Sequence, residues 1–372
     1  MPCLQQRLTR FQFTCLVLLS GLLSQSLWAA TTQDKLNQLQ LPAGFSISLL
    51  SDALPNARQM ALSSAGTLFV GSFQEGAVYA IPQALSATPG APVTIAQGLT
   101  MPSGVALNGG DLYVGALNRI LRFVDIEANL AAEAPFSVVT DTLPDKAHHG
   151  WKYLGFGPDG ALYIPVGAPC NMCLSDDERF ASILRMNMDT GATEVYARGI
   201  RNSVGFAWHP TTRALWFSEN GRDMLGDDVP AEEINVATGP GAHFGYPFIH
   251  QGDLPDPEFG KDAKAADFTP PRVRIQAHSA ALGIAFYTAQ QFPERYRHAL
   301  FIAEHGSWNR SSKVGYQISV VTFDTNGDHY APFITGWLED ENNWGRPNDV
   351  LVAPDGSLLI SDDQAGAIYR VS

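Results

Sequence analysis

Apolar and polar residues alternate along this chain in one short form, a turn residue followed by a mostly apolar strand. It reads GTLFVGS at 66–72, GDLYVGA at 110–116, GALYIPV at 160–166, RALWFSE at 213–219, HALFIAE at 298–304 and GSLLISD at 356–362. A second apolar stretch precedes most copies, as in GVAL, LGFG, GFAW, GIAF and DVLV, and a Pro-Asp-Gly turn joins the two at 158–160 and 354–356. Strand, tight turn and strand make a β-hairpin. The leucines at 68, 112, 162, 215, 300 and 358 lie 44, 50, 53, 85 and 58 residues apart. That spacing suits four-stranded blades with a long insert in one of them. Six copies predict an all-β fold, a six-bladed β-propeller of four-stranded antiparallel blades, forming one domain over residues 31–372. The segment 41–50, ending in GFSISLL, is a lone strand ahead of the first hairpin. Paired with the C-terminal strand 367–371, it would close the ring and remove the free edges.

Residues 1–30 do not share this pattern. Arg7 and Arg10 precede an apolar run over 11–27, and Ala29 and Ala30 offer a small-residue cleavage site. This reads as a secretory signal peptide and predicts a periplasmic or secreted protein without stable membrane insertion. A membrane anchor is the alternative, though the run is broken by polar residues and short for a span. Removing this segment moves the net charge from −13 to −15, which argues against nucleic-acid and anionic-membrane partners. Two of the four cysteines remain, Cys170 and Cys173 in CNMC. In an oxidising compartment they are expected to form a local disulfide that stiffens a long loop; no further zinc ligands sit nearby in sequence.

Candidate chemistry lies in the loops at one face of the propeller. His148 and His149 stand just before a strand in AHHGWKYLGFGPDG, where alternation would send the two imidazoles to opposite sides. Arg201 and Asn202 occupy the same place one blade later and offer hydrogen-bond donors to a carboxylate or a developing oxyanion. The loop SENGRDMLGDDVPAEEIN gathers Glu219, Asp223, Asp227, Asp228, Glu232 and Glu233. Such acids are either hard oxygen ligands for calcium or a solvated face. Arg310 and Arg346 sit beside tryptophans in HGSWNR and NNWGRPNDV. They could stack on those rings, or aim at an anionic small molecule. No nucleotide-binding fingerprint is visible.

The order and spacing of His149 before GPDG, GIRNSVGFAW, SENG with EEIN, AHSAALGIAFY, HGSWNR and GRPNDVLVAPDG resemble the soluble pyrroloquinoline-quinone (PQQ)-dependent sugar dehydrogenases of the glucose/sorbosone dehydrogenase family. The HGSWNR form is most similar to the sorbosone dehydrogenase branch, and the resemblance covers residues 41–372. It implies PQQ and calcium as cofactors, a small sugar or sorbosone-like aldehyde as substrate, and an external electron acceptor such as a quinone, cytochrome or dye. It implies His149 as general base, and Arg201 with Asn202 at the quinone oxygens. The carbonyls of Gly221 and Arg222 would be calcium ligands, and Arg346 would grip the cofactor carboxylates. Arg310 or Lys313 is expected to supply a further cationic contact. Asn348 stands where a second arginine is expected, and Leu99-Thr100-Met101 where many relatives carry a glutamine.

The implied reaction passes hydride from a sugar carbon to a quinone carbonyl polarised by calcium and Arg201. His149, ordinarily titrating near 6.5, would take the hydroxyl proton. The same fold also accommodates a calcium-dependent lactonase or esterase, or a non-enzymatic sugar-binding propeller. The long interval spanning 239–280, with its HFGYPF stretch, is expected to influence substrate choice, either as a sugar-stacking surface or as a packed loop.

Overall fold

The computed structural model describes residues 31–372; the expected signal peptide lies outside the described residues. Six four-stranded antiparallel units form a β-propeller, as the repeat predicts. In each blade the repeated phrase is the second strand: Leu68–Val70, Asp111–Ala116, Leu162–Val166, Leu215–Glu219, Leu300–Glu304 and Leu358–Asp362. Every residue of these strands is buried. The cause is that both faces of a blade are covered by neighbours. Leu358 and Ile360 pack into the cluster shared with the fifth blade, while Leu359 between them packs into the cluster shared with the first. A strand buried on both faces reads as a nearly unbroken apolar run.

The ring closes as expected. Ile47–Ser51 pairs antiparallel with Ala367–Val371, with Ile47 opposite Val371, and Ser46 and Ser372 exchange backbone hydrogen bonds of 2.9 and 3.0 Å. The strand is shorter than 41–50, because its lead-in serves as packing. Phe45 turns into the Phe292, Tyr296 and Phe333 rings, and Gln40 forms an isolated bridge to Thr335. Tyr369 in the closing blade is fully buried, donates its hydroxyl to Asp362 Oδ2 at 3.1 Å and meets the Trp337 ring edge-on.

The long interval belongs to the fourth blade, between its third strand, Glu232–Ala237, and its outer strand, Val273–Ile275. Within it Ala242–His243 adds in parallel to the outer strand of the third blade, Thr193–Arg198. HFGYPF is packed: Phe244 meets Phe217 edge-on, and Phe248 stacks on Phe268. The insert therefore fastens two adjacent blades together.

Ring closure sets a stability test. Tyr369→Ala removes a fully buried ring and is expected to cost about 3–5 kcal/mol, whereas Tyr369→Phe loses only one hydrogen bond, about 1 kcal/mol. Urea midpoints of the two variants check this; equal small losses would show that the closing strand is not strongly coupled to the rest of the ring.

Candidate functional site

In an antiparallel blade, the residues before the first strand and those after the second emerge at the same end. One cavity of about 230 Å³ opens there, lined by both kinds of loop. The lead-ins supply Arg58, His149, Arg201, Asn202, His278 and Arg346; the second-strand exits supply Asn220, Gly221, Asp223, His305, Trp308 and Asn309.

His149 is buried with its backbone at φ +50°, left-handed and uncommon for a side chain of this size. That bend overrides simple alternation. The two imidazoles lie side by side, ring centres 4.0 Å apart, rather than on opposite sides. The backbone of the next strand's exit passes close enough that a Cβ on Gly167 would sit 2.4 Å from the His149 Cβ, so only glycine fits there. His149 Nδ1 lies 2.9 Å from the Ala168 carbonyl. A carbonyl only accepts, so Nδ1 carries the proton and Nε2 keeps a free lone pair. Burial, followed by the charges of Arg201 and His148, pushes the His149 pKa down to about 2. This departs from the ordinary value expected from sequence: His149 is neutral far into acid.

Arg201 is almost entirely buried and its guanidinium is heavily engaged. Nε donates to the Asn171 carbonyl at 3.0 Å, Nη2 to Asn171 Oδ1 at 2.9 Å and Asp223 Oδ2 at 2.8 Å, and Nη1 to the Asn220 carbonyl at 3.1 Å. Its backbone N–H donates to Glu219 Oε1 at 2.7 Å. Burial lowers its pKa, opposed first by Asp223. Asn202 is oriented by two neighbours: its Nδ2 donates to Asn220 Oδ1, and its Oδ1 accepts from the Trp151 indole. Cys170 and Cys173 form the expected disulfide, and Asn171 lies inside its loop.

Across the cavity Arg346 donates to the carbonyls of His305 and Gly306, and its guanidinium lies over the Tyr316 ring rather than over the neighbouring tryptophan. Among the described residues no carboxylate lies within ion-pair distance of that guanidinium. A second arginine, Arg58, comes from the first blade. It is held by Asp363 at 2.7 Å and flanked by the Phe73 and Trp151 rings. Asp363 also binds His305 Nε2 at 2.8 Å. Burial alone would raise the Asp363 pKa, but His305 and Arg58 hold it well below the usual carboxylate range.

Gly221 lines the cavity, and neither its carbonyl nor that of Arg222 accepts a hydrogen bond among the described residues. Two unengaged carbonyls are suitable hard oxygen donors. The acids of this loop do not converge. Glu219 and Glu233 are buried and share the Asn235 Nδ2 donor, Glu232 is buried and accepts from the Gly221 backbone, and Asp227 faces Arg310 and Ser311. Among the described residues no group of three or more His, Cys, Asp or Glu side chains could hold a metal.

Three residues expected to grip a cofactor lie outside the lining. Arg310 is drawn to the Asp227 carbonyl and Asp228, in a separate surface cleft with Met224 and Ser311. Lys313 points its ammonium at the Glu341 carbonyl and Asn343 Oδ1, each at 2.8 Å. Asn348 is buried in the closing blade. The Arg222 side chain also turns away, pairing with Asp256 of the insert at 2.5 Å. Conversely, Arg58, Trp151, His278 and His305 line the cavity although sequence reasoning gave them no role. The available signal was position: Arg58 lies just before a first strand, as Arg201 does.

The TrAA12-like family profile matches residues 39–372. The chain is 34% identical over 349 residues to a Borreliella burgdorferi protein described as uncharacterized, covering 90% of each. It is 30% identical over 192 residues, half of this chain, to the aldose sugar dehydrogenase YliI of Escherichia coli, a match spanning 45% of that protein. It is 27% identical over 217 residues to a pyrroloquinoline quinone-dependent sugar dehydrogenase of Hypocrea jecorina, covering 46% of each. Among solved structures, the Trichoderma reesei carbohydrate-active enzyme of family AA12 superposes with a TM-score of 0.76 at 21% identity, covering 90% of this chain and 97% of the other. The PQQ domain of Coprinopsis cinerea pyranose dehydrogenase gives 0.75 at 17%, with the same coverages. Matched over nearly all of the described residues, the chain belongs to the TrAA12-like family.

Proposed function

We propose that this protein is an exported quinoprotein dehydrogenase that oxidises an aldose or a sorbosone-like aldehyde, using PQQ and calcium. Membership of the TrAA12-like family and similarity to aldose and PQQ-dependent sugar dehydrogenases support an oxidoreductase of that class. The observation that carries the cofactor assignment is Arg346, a cavity guanidinium with no carboxylate partner among the described residues. A small anion bearing carboxylates would supply that partner. The protein as a whole carries a net charge of −13, so attraction for an anion is confined to this cavity, where Arg58 and Arg346 supply the opposite sign.

The residues present fit the group. Arg346 and Arg58 would take its carboxylates, Arg201 and Asn202 would donate to its quinone oxygens, and the Gly221 and Arg222 carbonyls would hold calcium. When bound, the calcium-polarised ortho-quinone supplies the two-electron acceptor. The chain's own contribution is positioning and proton transfer. His149 Nε2, neutral and fixed by the Ala168 carbonyl, takes the proton of the sugar hydroxyl, or of the hydrate of an aldehyde. Arg201 contributes a donor whose orientation is fixed before the reaction starts. Trp308, 70% exposed at the cavity, offers an apolar face for a sugar ring. Products are a lactone or acid, and an external acceptor completes the cycle.

Purified protein should reduce an artificial electron-acceptor dye with a panel of aldoses and sorbosone only when both PQQ and calcium are added. Silence with both present would refute the assignment. His149→Ala should lower kcat by about 10²–10⁴-fold, the usual range for a general base, with quinone affinity nearly unchanged. Arg346→Ala should instead weaken quinone binding by about tenfold or more, the loss expected for a charge-assisted hydrogen bond. Because burial and Arg201 keep His149 neutral far into acid, kcat/KM should show no acid limb at the ordinary histidine value of about 6.5. A limb there that disappears in the His149 variant would show that the base titrates as a solvated imidazole.

A further inference from the structure

A guanidinium has five N–H donors in one plane. In Arg201 four are engaged by the carbonyl and side-chain oxygen of Asn171, by Asp223 and by the Asn220 carbonyl, which leaves a single N–H on Nη1. The direction of that remaining donor depends on how the opposite edge of the guanidinium is held, and Asn171 holds it twice. Asn171 Oδ1 also accepts from the Asp223 backbone at 3.0 Å, so both lone pairs of one amide oxygen are in use. Asp223 is in turn the ion partner of Arg201. One side chain therefore fixes the cation and its counter-ion together.

Asn171 is held from two further sides. The Cys170–Cys173 disulfide closes its loop, and Tyr246 from the fourth-blade insert accepts from the Cys173 N–H at 3.1 Å. The same stretch of chain reaches the other site residue. Ala168 donates its N–H to the Arg201 carbonyl at 2.7 Å and receives His149 Nδ1 on its own carbonyl. None of this was evident from CNMC itself, which suggests only a stiffened loop.

We propose that Asn171 is a positioning residue: the disulfide-closed loop clamps the Nε and Nη2 edge of Arg201 together with Asp223, and so aims the one remaining Nη1 donor into the cavity. Its effect on catalysis rests on the function proposed above; its effect on the arginine does not. Asn171→Ala keeps the backbone acceptor but loses the amide oxygen. Asn171→Asp keeps an acceptor for both Arg201 and Asp223 and gives up only the long 3.4 Å hydrogen bond from Nδ2 to the Asp223 carbonyl.

The test begins on the ligand-free full chain, by NMR of the arginine guanidinium Nη–H groups, with Arg201→Lys identifying the resonances. Hydrogen exchange of the Arg201 Nη2–H that donates to Asn171 Oδ1 should speed up by about tenfold in Asn171→Ala, corresponding to loss of about one hydrogen bond's free energy, and should return to the wild-type rate in Asn171→Asp. The Cys170→Ser/Cys173→Ser variant should behave like Asn171→Ala. Titration with PQQ plus calcium, followed in the quinone absorption band, should then show weakened binding in Asn171→Ala and recovery in Asn171→Asp. Unchanged exchange in Asn171→Ala, or no recovery in Asn171→Asp, overturns the proposal. Altered exchange with a wild-type protein that does not bind PQQ upholds the positioning and rejects the cofactor assignment instead.

Discussion

A propeller has no single core; its apolar area lies in interfaces between consecutive blades, and each blade is covered on both faces only when the ring is shut. Here the ring is shut by one short antiparallel pairing, Ile47–Ser51 with Ala367–Val371. That pairing joins residues from the two ends of the described chain and so carries a large loop-closure cost. Tyr369, Trp337 and the aromatic group around Phe45 supply the burial that opposes it. Once closed, the ring sets where every loop emerges, and the convergence of side chains from all parts of the chain on one cavity follows from that geometry.

The chemistry of the cavity comes from charges that burial makes expensive. Arg58, Arg201 and their partners are removed from water, so each must be held by a carboxylate, a carbonyl or an aromatic face. Arg58 has Asp363 and two rings, and Arg201 has Asp223 and three oxygens. Arg346 has carbonyls and a ring but no acid. The same burial, reinforced by Arg201, keeps His149 neutral. Under the proposed function, His149 is therefore in its proton-accepting form at any working pH, and negative charge developing on the substrate would offset the burial and cations that weaken it as a base. The segment 167–171 is the mechanical link, since it touches both His149 and Arg201 through short polar contacts.

Much of the fold was legible because each second strand is apolar on two sides and is preceded by a turn, a pattern that survives divergence of everything around it. The insert was not: the parallel pairing of Ala242–His243 with Thr193–Arg198 is non-local and follows no local periodicity. In the site, the readable residues were mostly those in the loops that lead into first strands. His149, Arg201, Asn202, Gly221 and Arg346 all line the cavity. Arg310 and Lys313 follow Trp308 and Asn309, which do line the cavity, but the nearest acids and carbonyls decide the direction of these two side chains, and those lie outside it. Arg58 was missed because its lead-in, ARQMAL, has no distinctive phrase. The side-by-side histidines were missed because a left-handed residue breaks strand alternation and sequence does not reveal its φ.

The most direct test of the central claim is a crystal structure of the protein grown with PQQ and calcium. The account predicts the quinone in this cavity, its oxygens facing Arg201 and Asn202, its carboxylates on Arg58 and Arg346, and calcium against the Gly221 and Arg222 carbonyls. A cavity free of quinone density at saturating ligand, or a quinone bound with its carboxylates away from both arginines, would contradict it.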